Sequence, residues 1–317
     1  MLGDHDHVTA DNIAFILLDK QFNIIRYNGT VIAKLLYSNN NTTRIRGEDS
    51  RLYWFKKRLF ITYNYIDTHQ FTHKKRHVRY VEIDLIKSKW LPETRRVFTK
   101  GLIVALTSNS VNNKAQKNWM PLPISEYNSP QSQLFVHNYD PLRIFRVAYG
   151  SSSSTSTTTT PTTTIAGNVG ADGVAVISPR LEDVPCIQSK LLASVWKYGH
   201  IRGGTPLLRY NSSHALSLFH SSMQLDPTDP RRSYFMGFLL LDITLPMRVA
   251  AISRVPLIGQ GWYSGYLVSD TFYYANYPLG IALADGGTVV ISYGRQDLDG
   301  YVSTVQLSTV IAGLVTV

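Results

Sequence analysis

Gly47-Glu48-Asp49-Ser50-Arg51 runs directly into Leu52-Tyr53-Trp54, then a polar break at Phe55-Lys56-Lys57-Arg58, then a second apolar run, Leu59-Phe60-Ile61-Thr62-Tyr63. Two short runs rich in aromatic and β-branched residues around a Lys-Lys turn predict a β-hairpin. Two carboxylates and a guanidinium stand where its first strand begins. An acidic side chain at the mouth of a half-buried strand is costly unless it is paired or used, because it loses its hydration there. Arg46 and Arg51 are the neighbouring cations, and neutralisation by them alone would make the group a structural pin.

The same pattern returns along the chain: a short strand, a polar turn, then an apolar strand ending in Tyr or His. The second strands are expected to start at Leu59, Leu134, Ala215 and Val289, at separations of 75, 81 and 74 residues. A unit of that length is too long for one hairpin and suits a four-stranded blade with long loops. Repetition without intervening helices predicts an all-β chain folded as a β-propeller, five-bladed with an incomplete first blade. The innermost strands of such a fold line a central channel, where the repeated polar ends would gather. Other strands are expected at Val81 to Ile86, Gly101 to Thr107, Tyr234 to Asp242 and Ile252 to Ile258, with turns at Asn28-Gly29 and Asp285-Gly286-Gly287. Cys186 to Tyr198 reads as a strand or as the one helix of any length. Ser151 to Thr164 is a Ser/Thr tract with no side chain able to fill a core, and is expected to be a solvated insertion within a single domain spanning residues 1–317.

At 317 residues and 44% hydrophobic content the chain can build a packed core, which excludes a disordered protein. The formal charge of +10 and the basic run His73-Lys74-Lys75-Arg76-His77-Val78-Arg79 invite a nucleic-acid or anionic-surface reading. Charge runs in loops are usually solvated, and neither an RNA-binding aromatic signature nor zinc-finger spacing accompanies this one, so nucleic acid is disfavoured as a partner. The lone cysteine, Cys186, excludes an intramolecular disulfide framework and a cysteine-rich zinc site. No metal site is expected, nor an organic cofactor. No apolar run approaches the ~18 residues of a membrane span, and the first residues do not read as a signal peptide. Four glycosylation sequons, at Asn28, Asn40, Asn41 and Asn211, fit a secretory-lumen or extracellular location whose targeting segment lies outside the chain. Oligomeric state is not legible.

Several segments, taken in order, resemble the family of β-mannoside phosphorylases, β-1,2-mannosidases and related β-1,2-mannosyltransferases, which are five-bladed propellers. Glu48-Asp49-Ser50-Arg51 is similar to their Glu-Asp-Pro-Arg, with Ser50 in place of proline. Lys117-Asn118-Trp119 resembles their Lys-Asn-Trp, and Asp140-Pro141 the turn that follows it. Phe219-His220-Ser221 stands in the place of Tyr-His-Gly, and Tyr234 with Gly237, Leu241 and Asp242 resembles the start of the next blade. Tyr277-Pro278-Leu279-Gly280 and Tyr293-Gly294-Arg295-Gln296-Asp297 resemble the closing Phe-Pro-x-Gly and Tyr-Tyr-Gly-x-x-Asp.

The resemblance implies inverting mannosyl transfer: phosphorolysis of β-mannosides, or the reverse transfer from mannose 1-phosphate. Asp49 is then the general acid, its proton reaching the leaving oxygen through a sugar hydroxyl. That role calls for a raised pKa, which a partly desolvated site beside Glu48 would supply. Phosphate needs fixed cations, and Arg51, Lys117 and His220 are the matching candidates, with Arg202 admissible on chemistry alone. Glu48, Arg51, Trp119, Tyr293 and Asp297 are the candidate sugar-binding residues, the aromatic rings by stacking. Inorganic phosphate or mannose 1-phosphate would be a co-substrate, and an oligosaccharide or glycan the partner. Hydrolysis would need a second carboxylate ~6.5–9.5 Å across the sugar, a position for which Asp297 is available. Against this stand a non-catalytic carbohydrate-binding or scaffold propeller and, further off, a basic nucleic-acid-binding module.

Overall fold

A computed structural model of the chain describes residues 13–31, 33–38, 43–67, 75–91, 94–106, 118–124, 132–148, 168–169, 175–177, 179–259, 262–263, 272–295 and 299–317. Lys117, Asp297 and the Ser/Thr tract lie outside these residues, as do the sequons at Asn40 and Asn41. The described chain is built almost wholly of strands, and its three α-helices have four, four and six residues. None of its helices is long and apolar enough to cross a membrane. The chain divides into two compact units, Met1–Ser50 with Lys57–Lys117 and Ser152–Pro179, and Arg51–Lys56 with Asn118–Ser151 and Arg180–Val317.

The first unit opens with β1 (Ala14–Phe15), the small hairpin β2 (Arg26–Tyr27) and β3 (Thr30–Val31), and β4 (Lys34–Tyr37). Asn28 and Gly29 form the hairpin turn with φ of 49° and 75°, the left-handed pair that a two-residue turn needs. β5 (Glu48–Phe55), β6 (Arg58–Asp67), β7 (Lys75–Ile83) and β8 (Arg96–Leu106) then follow in sequence and lie in that order in one sheet, with β4 and β1 beyond β8. Only the first three residues of β5 belong to this unit. The core of the unit follows a period of two along β6, where Leu59, Ile61, Tyr63 and Tyr65 all enter it beside Val81, Ile83, Val97 and Ile103. Two buried charges are held locally. Glu82 takes Arg58 and, at 3.7 Å, Lys100. The wholly buried Lys34 donates to the carbonyls of Leu91 and Thr94, each at 2.5 Å. Between β7 and β8 lies α1 (Leu85–Ser88).

The second unit is a succession of mainly antiparallel sheets. β9 (Met120–Leu122), β10 (Ser132–Tyr139) and β11 (Leu142–Ala148) form the first of them. The chain next supplies β12 (Asn168–Val169) and β13 (Ala175–Ile177), which extend the first unit's sheet along β8, and returns as β14 (Arg180–Val184) beside β11. After α2 (Leu192–Val195), β15 (His200–Arg202) and β16 (Leu208–Arg209) both run along β17 (His214–Gln224), as one strand interrupted at residues 203–207. β18 (Arg232–Asp242) and β19 (Arg248–Ser253) complete that meander, with β20 (Phe272–Tyr274) beside β18. The last meander is β21 (Asn276–Ala284), β22 (Thr288–Arg295) and β23 (Asp299–Gln306); α3 (Leu307–Ala312) then leads to β24 (Leu314–Thr316), which pairs with β19. One core joins β9–β11 to β17–β19 through Met120, Val136, Tyr139, Phe219 and Leu241. Another joins β17 and β18 to β22 through Leu218, Phe238 and Ile291.

The expected repeat is present as an order of strands. The four second strands, β6, β10, β17 and β22, start at Arg58, Ser132, His214 and Thr288, each one or two residues before the expected position. Three expectations are corrected, and one helix was not foreseen. The alternation from Val81 stops at Ile83, because Asp84 caps α1 by accepting from the backbone N–H groups of Ile86 and Lys87. Within Cys186 to Tyr198 the helix is one turn long. The run from Ile252 leaves the sheet at Ser253, ahead of Pro256, which has no N–H to give a ladder. Leu307–Ala312, read as nothing in particular from sequence, is the longest helix described.

Candidate functional site

Alternation along β5 turns Arg51, Tyr53 and Phe55 inward and leaves Leu52 and Trp54 exposed. Arg51 is thereby buried, at 2% exposure, and a guanidinium so placed is tolerable only if its N–H groups are met by acceptors. Nε donates to the carbonyl of Gly204, and Nη2 to Asn118 Oδ1 at 3.3 Å and to Tyr277 Oη at 2.7 Å. These partners come from residues just before β9, from the break between β15 and β16, and from β21. One side chain of β5 thus gathers groups on or beside the first strands of three other sheets.

His220, on β17 and buried, hydrogen-bonds through Nδ1 to the carbonyl of Gly203. Its ring lies parallel to that of Tyr234, centroids 5.8 Å apart, and 4.5 Å from that of Tyr277. The adjacent carbonyls of Gly203 and Gly204 therefore serve His220 and Arg51 respectively. Glycine is required at both positions by close approach: a Cβ on Gly203 would overlap Met120 Sδ and the backbone oxygen of Asn118, and one on Gly204 the carbonyl of Leu218. Behind them Tyr139 Oη donates to Ser217 Oγ at 3.0 Å, and Ser217 meets Thr205 Oγ1 at 3.2 Å. Burial raises the pKa of the Tyr139 phenol far above its ordinary range, so it stays protonated and a donor; the Ser217 hydrogen bond and the Arg51 charge oppose that shift only in part.

The expected site residues fall into three groups. Arg51 and His220 are brought together, about the common ring of Tyr277. Asp49 and Glu48 belong to the first unit and are half-buried. Asp49 takes a left-handed conformation, φ 49°, and its Oδ2 accepts from Asn64 Nδ2 at 2.8 Å. Trp119 and Tyr293 are core residues. Trp119 is fully buried, stacked on Phe145 at 5.2 Å with the His137 ring edge-on at 5.0 Å. Tyr293 lies 4.8 Å from Trp262 and is stacked on Tyr301 at 5.7 Å. The stacking expected of these two rings toward a sugar is met by protein rings instead. Arg202 is exposed, opposite His220 in the β15–β17 ladder. Asn118, Tyr277 and the Gly203–Gly204 carbonyls were not among the candidates, although a Gly-Gly pair leading into a strand signals close backbone approach.

Two further groups have shifted acidities. His137, at an irregularity of β10, is held neutral with its pKa lowered to about 4, chiefly by burial and then by the Arg143 charge. Its Nδ1 and Trp119 Nε1 are buried and without partners among the described residues. Burial raises the Cys186 thiol to about 11, which makes it an inert packing residue. Among the described residues no three His, Cys, Asp or Glu side chains are grouped as metal ligands.

No family model matches the chain, and neither does any curated protein. Solved structures are similar to it at low identity. A GDP-Man-dependent mannosyltransferase from Leishmania mexicana aligns with 7% identity and a TM-score of 0.48, covering 89% of this chain and 74% of its own. A glycosyl hydrolase from Bacteroides ovatus aligns with 12% identity and a TM-score of 0.47, covering 88% and 77%. A mannose phosphorylase from Leishmania mexicana aligns with 11% identity and a TM-score of 0.35, covering 86% of each chain. At TM-scores below 0.5 these likenesses assign neither a fold nor an activity.

Proposed function

We propose that this chain is a carbohydrate-active β-propeller that transfers mannosyl units between a glycan and phosphate, as a β-mannoside phosphorylase or in the reverse direction from mannose 1-phosphate. The observation that carries the reading is the meeting of Arg51 and His220 around Tyr277, among groups on or beside the first strands of successive meanders. In a propeller the innermost strands line the central channel, which is where a ligand would lie. Arg51 and His220 are two of the three residues singled out as phosphate ligands, and the third, Lys117, adjoins Asn118 in the chain. The succession of meanders with regularly spaced second strands supports the architecture.

In the proposed reaction a phosphate oxygen attacks the anomeric carbon of a β-mannoside, the bond to the leaving oxygen breaks, and Asp49 supplies the proton that the departing hydroxyl takes. Inversion follows from a single displacement. Arg51, Lys117 and His220 hold the phosphate, while Glu48 and Asp297 take sugar hydroxyls.

A second reading is favoured by one observation: the guanidinium of Arg51 donates to three protein acceptors, which suits a pin in a non-catalytic carbohydrate-binding propeller. Phosphate release from mannose 1-phosphate with a panel of mannose and glucose acceptors, run beside Asp49→Asn, separates the two. Transfer requires release by the wild type and its loss in the variant. A folded wild type that binds sugar and releases nothing leaves the binding reading.

A further inference from the structure

We propose that Thr205 and Ser217 are positioning residues that fix which nitrogen of His220 carries the proton, by holding the Gly203–Gly204 turn from behind. A backbone carbonyl can only accept, so the bond between His220 Nδ1 and Gly203 O places a hydrogen on Nδ1. In the neutral ring Nε2 is then the nitrogen with the lone pair, and it is Nε2 that gains or loses the proton when the ring changes charge. The carbonyl of Gly203 favours this tautomer while it stays aimed at the ring.

Gly203 and Gly204 have no side chains with which to hold that aim, and both lie in the break between β15 and β16, outside a regular ladder. Thr205 supplies the anchorage. Its N–H donates to the Leu218 carbonyl at 3.0 Å, and its Oγ1 accepts from the Leu218 N–H at 3.0 Å, so this one residue stands in for a ladder rung. Ser217 closes the group, with its Oγ 3.2 Å from both Thr205 O and Thr205 Oγ1, and Tyr139 donates into it from below. Thr205 and Ser217 are fully buried. Leu218 and His220 are two residues apart on β17, so the strand that clamps Thr205 also carries the ring that the turn addresses. The relevance to phosphate rests on the reading of Arg51 and His220 as an oxyanion site; the control of the tautomer does not.

The test is nitrogen-detected NMR of the full chain labelled with [15N]histidine, the His220 signals being assigned by their absence in His220→Gln, alongside calorimetric titration with inorganic phosphate. Wild type is expected to show His220 protonated at Nδ1 when neutral. Thr205→Val, which keeps the shape and removes the hydroxyl, is expected to give a mixture of tautomers and to weaken phosphate binding about tenfold. Thr205→Ser is expected to retain both properties, and Ser217→Ala to repeat the valine result if that variant does not fold. A wild-type ring protonated at Nε2 overturns the proposal without any variant. So does a folded Thr205→Val or Ser217→Ala protein whose His220 keeps the wild-type tautomer. Tautomer control without phosphate binding in the wild type leaves the positioning role standing and removes the oxyanion reading.

Discussion

A histidine edge-on to Trp119 and Phe145 must lose its hydration to sit there, and His137 does so as the neutral base. Its folded pKa of about 4 lies below the ordinary 6.5, so the unfolded chain binds the extra proton first. The stabilisation is therefore complete above pH ~6.5, is lost as pH falls from there, and levels off below about 4, a span worth at most ~3 kcal/mol. Denaturant midpoints measured across that range should fall with pH in the wild type and less steeply in His137→Phe. At Gly203 the argument is steric. A Cβ would meet Met120 Sδ and the Asn118 carbonyl together, and backbone cannot swing aside as a side chain can. Gly203→Ala should cost about 3 kcal/mol in urea unfolding. Residue by residue, the sequence revealed types better than surroundings. Arg51 and His220 were legible as candidate anion ligands from their residue types, whereas Trp119 and Tyr293 have the same composition whether they face a sugar or another ring.

Strand order was legible because the apolar, β-branched and aromatic runs of β6, β10, β17 and β22 stand between polar turns, and long loops do not disturb them; of the four only β22 alternates between buried and less buried positions, while β17 is buried on both faces along most of its length. Helices were not legible. Leu307-Ser308-Thr309-Val310-Ile311-Ala312 contains two β-branched aliphatic residues and a threonine, a weak local case for helix. It is helical because the turn buries Val310, packs Leu307 and Ile311 on the β17–β22 core, and returns the chain so that β24 pairs with β19. α1 depends on its cap in the same local way, and Asp84→Ala should destabilise the protein by about 1 kcal/mol, read from the urea midpoint. The β5–β6 turn presents the opposite case. Lys56 and Lys57 hold φ of 49° and 60°, a region in which a side chain is strained. Lys57→Gly should raise stability by up to about 1 kcal/mol in the same assay; an unchanged or lower midpoint would mean that the lysine side chain contributes more than its backbone costs.

On the scale of the whole molecule, far-UV circular dichroism should show a single β-type minimum without the helical pair, since the described helices hold so few residues. The sequence foretold an all-β chain through its repeat of strand, turn and strand. It could not tell that an arginine at the start of β5 would collect acceptors from three other sheets, because such a meeting depends on how separate loops end, not on any local pattern. On the proposed reading this meeting place receives the phosphate of a mannosyl donor. A crystal structure of the protein with mannose 1-phosphate tests it most directly. The account requires the phosphate within hydrogen-bonding distance of His220 and of the Arg51–Tyr277 pair, with the sugar ring beyond it. Mannose 1-phosphate bound elsewhere, with Arg51 still donating to Gly204, Asn118 and Tyr277 and no ligand beside His220, would contradict it.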